Sequence, residues 1–169
     1  MKRFVLLVLA AVFCSLTLRA QKIGYMNTET ILSKIPEYAA VQEQLEKLND
    51  QYKSRIENDY KDIERLYQSY QSSKASLSEY QRSQRESEII SKERAVKELQ
   101  KTYFGPDGYM QKKTEELLTP IRNKVQDAID KIAKEEGFML IFDLAALQGV
   151  VYDNPQYDLS ARILTKLNY

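Results

Sequence analysis

The sequence has no histidine and no tryptophan, one cysteine, five glycines and four prolines. Without histidine, the commonest general base and metal ligand of proteins is missing. The one cysteine, Cys14, sits inside an N-terminal apolar run, so the chain beyond it has no disulfide framework and no thiol nucleophile. There is no Gly-x-Ser-x-Gly elbow, no Gly-Lys-Ser/Thr phosphate loop and no calcium-loop spacing. Glu115/Glu116 and Glu135/Glu136 are paired carboxylates, but neighbours in sequence point in different directions on a helix and read as solvated surface. The residue inventory therefore argues against an enzyme, and no cofactor or metal is expected.

A second absence is local. From Glu37 to Phe104 there are 68 residues without glycine or proline, two fifths of the chain. These two residues are the strongest breakers of regular structure. A stretch lacking both, and rich in Glu, Lys, Gln, Arg and Leu, is built to be helix. Drawn as one rod it would extend roughly 100 Å at about 1.5 Å per residue.

The N-terminus has a different character. Lys2 and Arg3 precede an apolar run over residues 4–18, and Ala20 offers a small residue for cleavage before Gln21. This is the pattern of a secretory signal peptide over residues 1–20, with Leu18 larger than usual at the third position before the cut. The run, about fifteen residues, falls short of the roughly 20 needed to span a bilayer. Phe13 in front of Cys14 excludes a lipid-bearing cysteine, which needs a small residue there. Setting aside Lys2, Arg3 and Arg19 leaves 22 basic against 24 acidic residues, which removes the compositional case for nucleic-acid binding.

Along the remaining chain, Lys22–Met26 reads as a strand and Asn27 or Thr28 as the N-cap of a short helix over 29–34. Pro36 suits the first turn of the next helix. Val41, Leu45, Leu48, Tyr52, Ile56, Tyr60, Ile63, Tyr67 and Tyr70 then follow at steps of three and four, one face of a helix able to wind around a neighbour. A turn is expected near 72–76, with Ser76 and Glu79 as a capping box. The second helix carries Leu77 and Tyr80, no apolar side chain over 81–88, and a restored stripe from Ile89 and Ile90 onward. Gly105, Pro106 and Gly108 break it, as a hinge or a bulge. Helix resumes near Met110, with a kink expected at Pro120, and ends at Gly137. Phe138–Phe142 is a continuous apolar run expected to be buried on both faces, Val150-Val151-Tyr152 reads as a further strand, and Asp158 caps a last helix.

Short strands at opposite ends of a chain cannot stand alone. They must meet, which turns the long helical run into a hairpin of roughly 50–60 Å. The expected fold is α+β and predominantly α: a small strand-containing association body (21–36 plus 137–169) with a long protruding antiparallel, coiled-coil-like arm (37–136). So little core implies an oligomer. Its expected interface comprises Ile23, Tyr25, Leu140, Phe142, Val151, Leu159 and Ile163.

Twelve tyrosines are present, seven of them between residues 38 and 103. Tyrosine gives amphipathic contact area at low entropic cost. Two readings of the stripe stay open: helix-on-helix packing, or contact with another polypeptide through Tyr52, Ile56, Tyr60, Ile63, Tyr67, Tyr70, Leu77, Tyr80, Ile89 and Ile90.

Ile23-Gly24-Tyr25-Met26-Asn27, the long arm, and Glu136-Gly137-Phe138-Met139-Leu140-Ile141-Phe142-Asp143 leading to Val151-Tyr152 and Tyr157-Asp158-Leu159-Ser160 together resemble the Skp/OmpH-like periplasmic chaperones. The Phe104–Gly108 break also looks like that of Bacteroidetes-type members. The resemblance implies a periplasmic homotrimer without nucleotide dependence, whose arms enclose unfolded outer-membrane β-barrel proteins. Partners on this reading are those clients, further copies of the chain and, transiently, a membrane surface, with no nucleic acid. Well-known members are strongly basic, whereas the 37–104 arm has 12 basic and 13 acidic residues, so a basic clamp does not carry over. The rival expectation is a structural coiled-coil spacer of the envelope.

Overall fold

The computed structural model describes residues 22–169. The signal-peptide reading, with Cys14 and Ala20, lies outside the described residues. Within them, β1 (Lys22–Met26) is followed by four helices: α1 (Thr28–Ser33), α2 (Pro36–Ser73), α3 (Glu79–Phe104) and α4 (Tyr109–Glu136). Then come β2 (Phe138–Asp143) and α5 (Ser160–Lys166). The chain divides into two compact units, residues 22–35 with 124–169 and residues 36–123.

In the first unit β1 and β2 form a parallel pair, with Ile23 opposite Leu140, Tyr25 opposite Phe142 and Met26 opposite Asp143. Parallel strands need a crossover between them, and here helices α1 to α4 supply it. Gly24 is required by close approach: a Cβ there would lie 2.8 Å from the Phe138 ring and 2.9 Å from Leu159 Cδ1. On its other side β1 is held by Asp158–Leu159, where the Leu159 N–H donates to the Tyr25 carbonyl at 2.8 Å. Asn27 caps α1 by accepting from the Thr30 N–H at 3.0 Å, as its short polar side chain allows. The Asp143 carboxylate accepts from the Thr28 N–H at 3.0 Å, tying the end of β2 to the start of α1. α1 packs on α5, and Ile31, Leu159 and Ile163 are fully enclosed. Ile35, together with Val125, Ala128, Ile129 and Ile132 spaced by three and four along α4, completes the buried hydrophobic set.

Three expectations for this unit need correction. Val150-Val151-Tyr152 is not a strand but an irregular segment, with Val151 99% exposed. β1 is flanked by β2 and by Asp158–Leu159, so neither of its edges is open to residues 150–152, and no ladder reaches them. β2 is not buried on both faces, since Met139, Leu140 and Phe142 are exposed; it has a single strand partner among the described residues. Leu159 and Ile163, expected at an oligomer interface, are the enclosed core of the unit instead. Gly137 does end α4 in the left-handed region, at φ +71°. α4 runs unbroken through Pro120.

In the second unit α2 and α3 pack as a hairpin. The turn is a 3₁₀ turn over Lys74–Ser76, followed by Ser78, which caps α3. The capping box uses Ser78 and Gln81, not Ser76 and Glu79: Ser78 Oγ accepts from the Gln81 N–H and Gln81 Oε1 accepts from the Ser78 N–H. Both pairs have the same three-residue spacing, and the extended backbone at Ser78 selects between them. Ile56, Ile63, Tyr70, Ile89 and Val96 form the buried cluster, with Leu66, Leu77, Leu99 and Tyr103 packed against it.

The positions turned inward repeat every seven residues. On α2 they are Leu45, Tyr52, Asp59, Leu66 and Ser73 in one row and Ile56, Ile63 and Tyr70 in the other; on α3 they are Arg82, Ile89, Val96 and Tyr103. This heptad period keeps a seam facing its partner helix along the whole length.

Candidate functional site

A site that acts through surface contact is sought first among the exposed apolar side chains. The heptad seam divides the ten candidate contact residues of the arm. Ile56, Ile63, Tyr70 and Ile89 lie buried between α2 and α3, with Tyr52 and Leu77 half-buried beside them. These side chains are occupied by the hairpin's own packing. Tyr60, Tyr67, Tyr80 and Ile90 are exposed, Tyr80 at 71%. The three-and-four stepping of the sequence counted Tyr60 and Tyr67 on the inward face. The structure places the polar Asp59 and Leu66 on that face instead, and the two tyrosines outside it.

Tyr70 is anchored rather than offered. Its hydroxyl bonds Glu86, which pushes the phenol pKa up, with burial adding to the effect. The Lys74 ammonium sits 5.3 Å from the ring centroid, a cation–π contact.

Where α3 gives way to α4, an aromatic group gathers. Tyr52 stacks on Tyr103 with ring centroids 3.9 Å apart and planes 18° from parallel. Tyr109 meets Tyr52 edge-on at 5.4 Å, and Phe104 meets Tyr103 edge-on at 6.5 Å. Arg55 Nη1 donates to the Tyr103 hydroxyl at 3.2 Å. Burial raises the Tyr52 phenol pKa, and a hydrogen bond with Tyr109 adds to it. The break itself is closely packed: a Cβ on Gly105 would lie 2.5 Å from the Lys101 carbonyl oxygen, and one on Gly108 2.8 Å from that of Gly105. Neither glycine takes a positive φ, so it is these close approaches that require them.

The strand unit presents a second surface. Ile23, Leu140, Phe142 and Val151 are exposed, and Tyr25 is half-buried. A cavity of about 490 Å³ opens along β1 and the 144–157 segment, lined by Ile23, Tyr25, Phe142, Leu147, Val150 and Tyr152 among others. Burial raises the Tyr25 phenol pKa, with further contributions from Asp153. At the end of α4, Glu136 accepts from Lys22 Nζ at 2.8 Å and from Arg162 at 2.6 Å. Those two bonds, Lys22 first, hold its carboxyl below the usual range. Lys22 also lies 4.0 Å from the Phe138 ring centroid. This node ties β1, α4, β2 and α5 together, and the sequence carried no signal for it because the two cations that pair with Glu136 are 114 and 26 residues from it.

Among the described residues, no group of three or more His, Cys, Asp or Glu is arranged to hold a metal ion, and no helix is long and apolar enough to cross a membrane.

Comparison with known proteins places this architecture. The family model described as outer membrane protein (OmpH-like) matches residues 22–167. The chain is 24% identical over 160 residues to the chaperone protein Skp of Yersinia enterocolitica, covering 93% of this chain and 92% of that protein. In fold it is similar to a solved OmpH-like protein of Caulobacter crescentus, with a TM-score of 0.69 at 11% identity, over 86% of this chain and 83% of that one. A match spanning both the strand unit and the helical hairpin shows that the chain belongs to the OmpH-like family of periplasmic chaperones.

Proposed function

We propose that this chain is an ATP-independent holdase of the periplasm. It keeps unfolded outer-membrane β-barrel proteins from aggregating by holding them between helical arms. The observation that carries the reading is the pair of surfaces on α2 and α3: a closed seam, and outside it exposed tyrosines whose rings take no part in the buried cluster. Side chains such as Tyr60, Tyr67, Tyr80 and Ile90 offer contact area to any extended apolar segment without demanding a sequence. With acidic and basic residues nearly balanced in the arm, capture rests on these contacts and on enclosure more than on charge.

The enclosure needs several copies. The reading places three chains around the strand unit, joined through the exposed Ile23, Leu140, Phe142 and Val151 with Tyr25 at the edge. It also takes residues 1–20 as a signal peptide removed on export. Gly105, Pro106 and Gly108 serve as the joint at which an arm bends, and the same break would set the chain among the Bacteroidetes-type members.

The heptad seam would equally suit a coiled-coil spacer of the envelope, and the same assay separates the two. A urea-unfolded outer-membrane β-barrel protein is diluted with the protein lacking residues 1–20, and light scattering is followed. Suppression at a few-fold molar excess is expected, weakened when Tyr60, Tyr67 and Tyr80 are all replaced by Ser. Unchanged scattering with the unaltered protein defeats the holdase reading and leaves the spacer.

A further inference from the structure

We propose that Tyr52, Tyr103 and Tyr109 form an aromatic latch that holds the α3–α4 break closed, so that bending at Gly105–Gly108 requires the Tyr52–Tyr103 stack to part. The inference goes beyond the chaperone reading and stands whether or not the hairpin holds clients.

Two of the three rings flank the break and the third faces them from α2. Tyr103 is in the last turn of α3, Tyr109 is the first residue of α4, and Tyr52 belongs to α2. The whole break, residues 105–108, therefore lies between two rings that both pack on a third ring of the opposite helix. Any swing of α4 about the break moves Tyr109 relative to Tyr103, and Tyr52 touches both. Stacked and edge-on rings attract through close contact, which is forfeited when the rings separate. Arg55, one turn along α2, adds its bond to the Tyr103 hydroxyl and keeps that ring in register.

The break has its own backbone bonds. The Gly105 N–H donates to the Lys101 carbonyl at 2.8 Å, the Gly108 N–H to the Gly105 carbonyl at 2.9 Å, and the Lys112 N–H to the Gly108 carbonyl at 3.1 Å. These bonds define a closed conformation and give it a direct readout. Pro106 and Asp107 are exposed, and Asp107 takes a positive φ of 57°, which a non-glycine residue adopts at a cost. A strained, exposed turn bordered by glycines is the natural place for a chain to open, and the rings oppose that opening.

The test is hydrogen exchange followed by mass spectrometry on the chain lacking residues 1–20, in the unaltered protein and in Tyr52→Ala and Tyr52→Phe. Alanine is a better helix former than tyrosine, so the substitution does not weaken α2 by propensity. Tyr52→Ala is expected to speed exchange of the 105–112 amides by about tenfold or more, with the Ile63–Tyr70 and Ile89–Val96 segments unchanged. Tyr52→Phe keeps the ring and is expected to stay within about twofold of the unaltered protein. Unchanged exchange at 105–112 in Tyr52→Ala overturns the latch. So does a rise spread evenly over α2 and α3, which would mark general loosening, and so does an equal rise in Tyr52→Phe.

Discussion

Replacing Gly24 by Ala adds a single methyl group at the tightest point of the strand unit. The new carbon would lie 2.8 Å from Phe138 Cε1, 2.9 Å from Leu159 Cδ1 and 3.2 Å from Leu159 Cγ. Leu159 is fully enclosed and has no free space to turn into, and the Phe138 ring is covered by Lys22 at 4.0 Å. Inserting a methyl into such a site costs about 1–3 kcal/mol through displaced side chains and backbone. Against this, the alanine restricts the unfolded chain and returns roughly 0.4–1 kcal/mol. The balance is a loss of about 1–2 kcal/mol, or roughly 3–6 °C in melting temperature for a chain of this size. The assay is thermal unfolding by circular dichroism at one fixed protein concentration, because an oligomer's midpoint moves with concentration. Gly24→Val should lower the midpoint further. An unchanged or raised midpoint for Gly24→Ala would refute the packing of β1 against both Phe138 and Leu159.

The other expectations concern the interface, the charged node and the arm's tip. Leu140→Asp with Phe142→Asp should yield monomers by multi-angle light scattering, since the strand unit retains its enclosed core; an intact oligomer would move the interface elsewhere. Glu136 has a depressed folded pKa, so the stability it contributes is present above the ordinary carboxylate value of 4.5 and is lost as pH falls through the lower folded value. A plot of melting temperature against pH should therefore fall on the acid side less steeply for Glu136→Gln than for the unaltered protein, and parallel curves would count against the node. Ser78→Ala removes the cap of α3 and should cost about 1 kcal/mol locally. That loss should be seen as faster hydrogen exchange of the Gln81 and Arg82 amides, while protection at Val96 stays unchanged.

Much of the architecture was legible in the residues. The 37–104 run contains no breaker, so helix was the only regular structure its composition favoured, and the serine-rich stretch around residue 73 marked the turn. Gly137, taking a positive φ, and Asn27, capping α1, act through their own backbone and nearest neighbours, which is why both could be read locally. The surface was less legible. Tyr60 and Tyr67 follow Ile56 and Ile63 at a helical step, and nothing in that spacing says which side of a stripe a partner helix will cover.

The sequence by itself determined where helices could run, where they had to stop, and that the strands at its two ends had to meet. Each of those follows from short-range backbone preferences and from the instability of lone strands. Only the tertiary structure decided which side chains are buried. Once α3 lies against α2, the period of contact becomes seven residues, which draws in Asp59 and leaves Tyr60 and Tyr67 outside. Likewise Leu159 became core because Asp158–Leu159 took the second edge of β1, while nothing among the described residues covers Met139, Leu140 and Phe142 of β2. Burial is a property of pairs of elements, so no single segment could carry it.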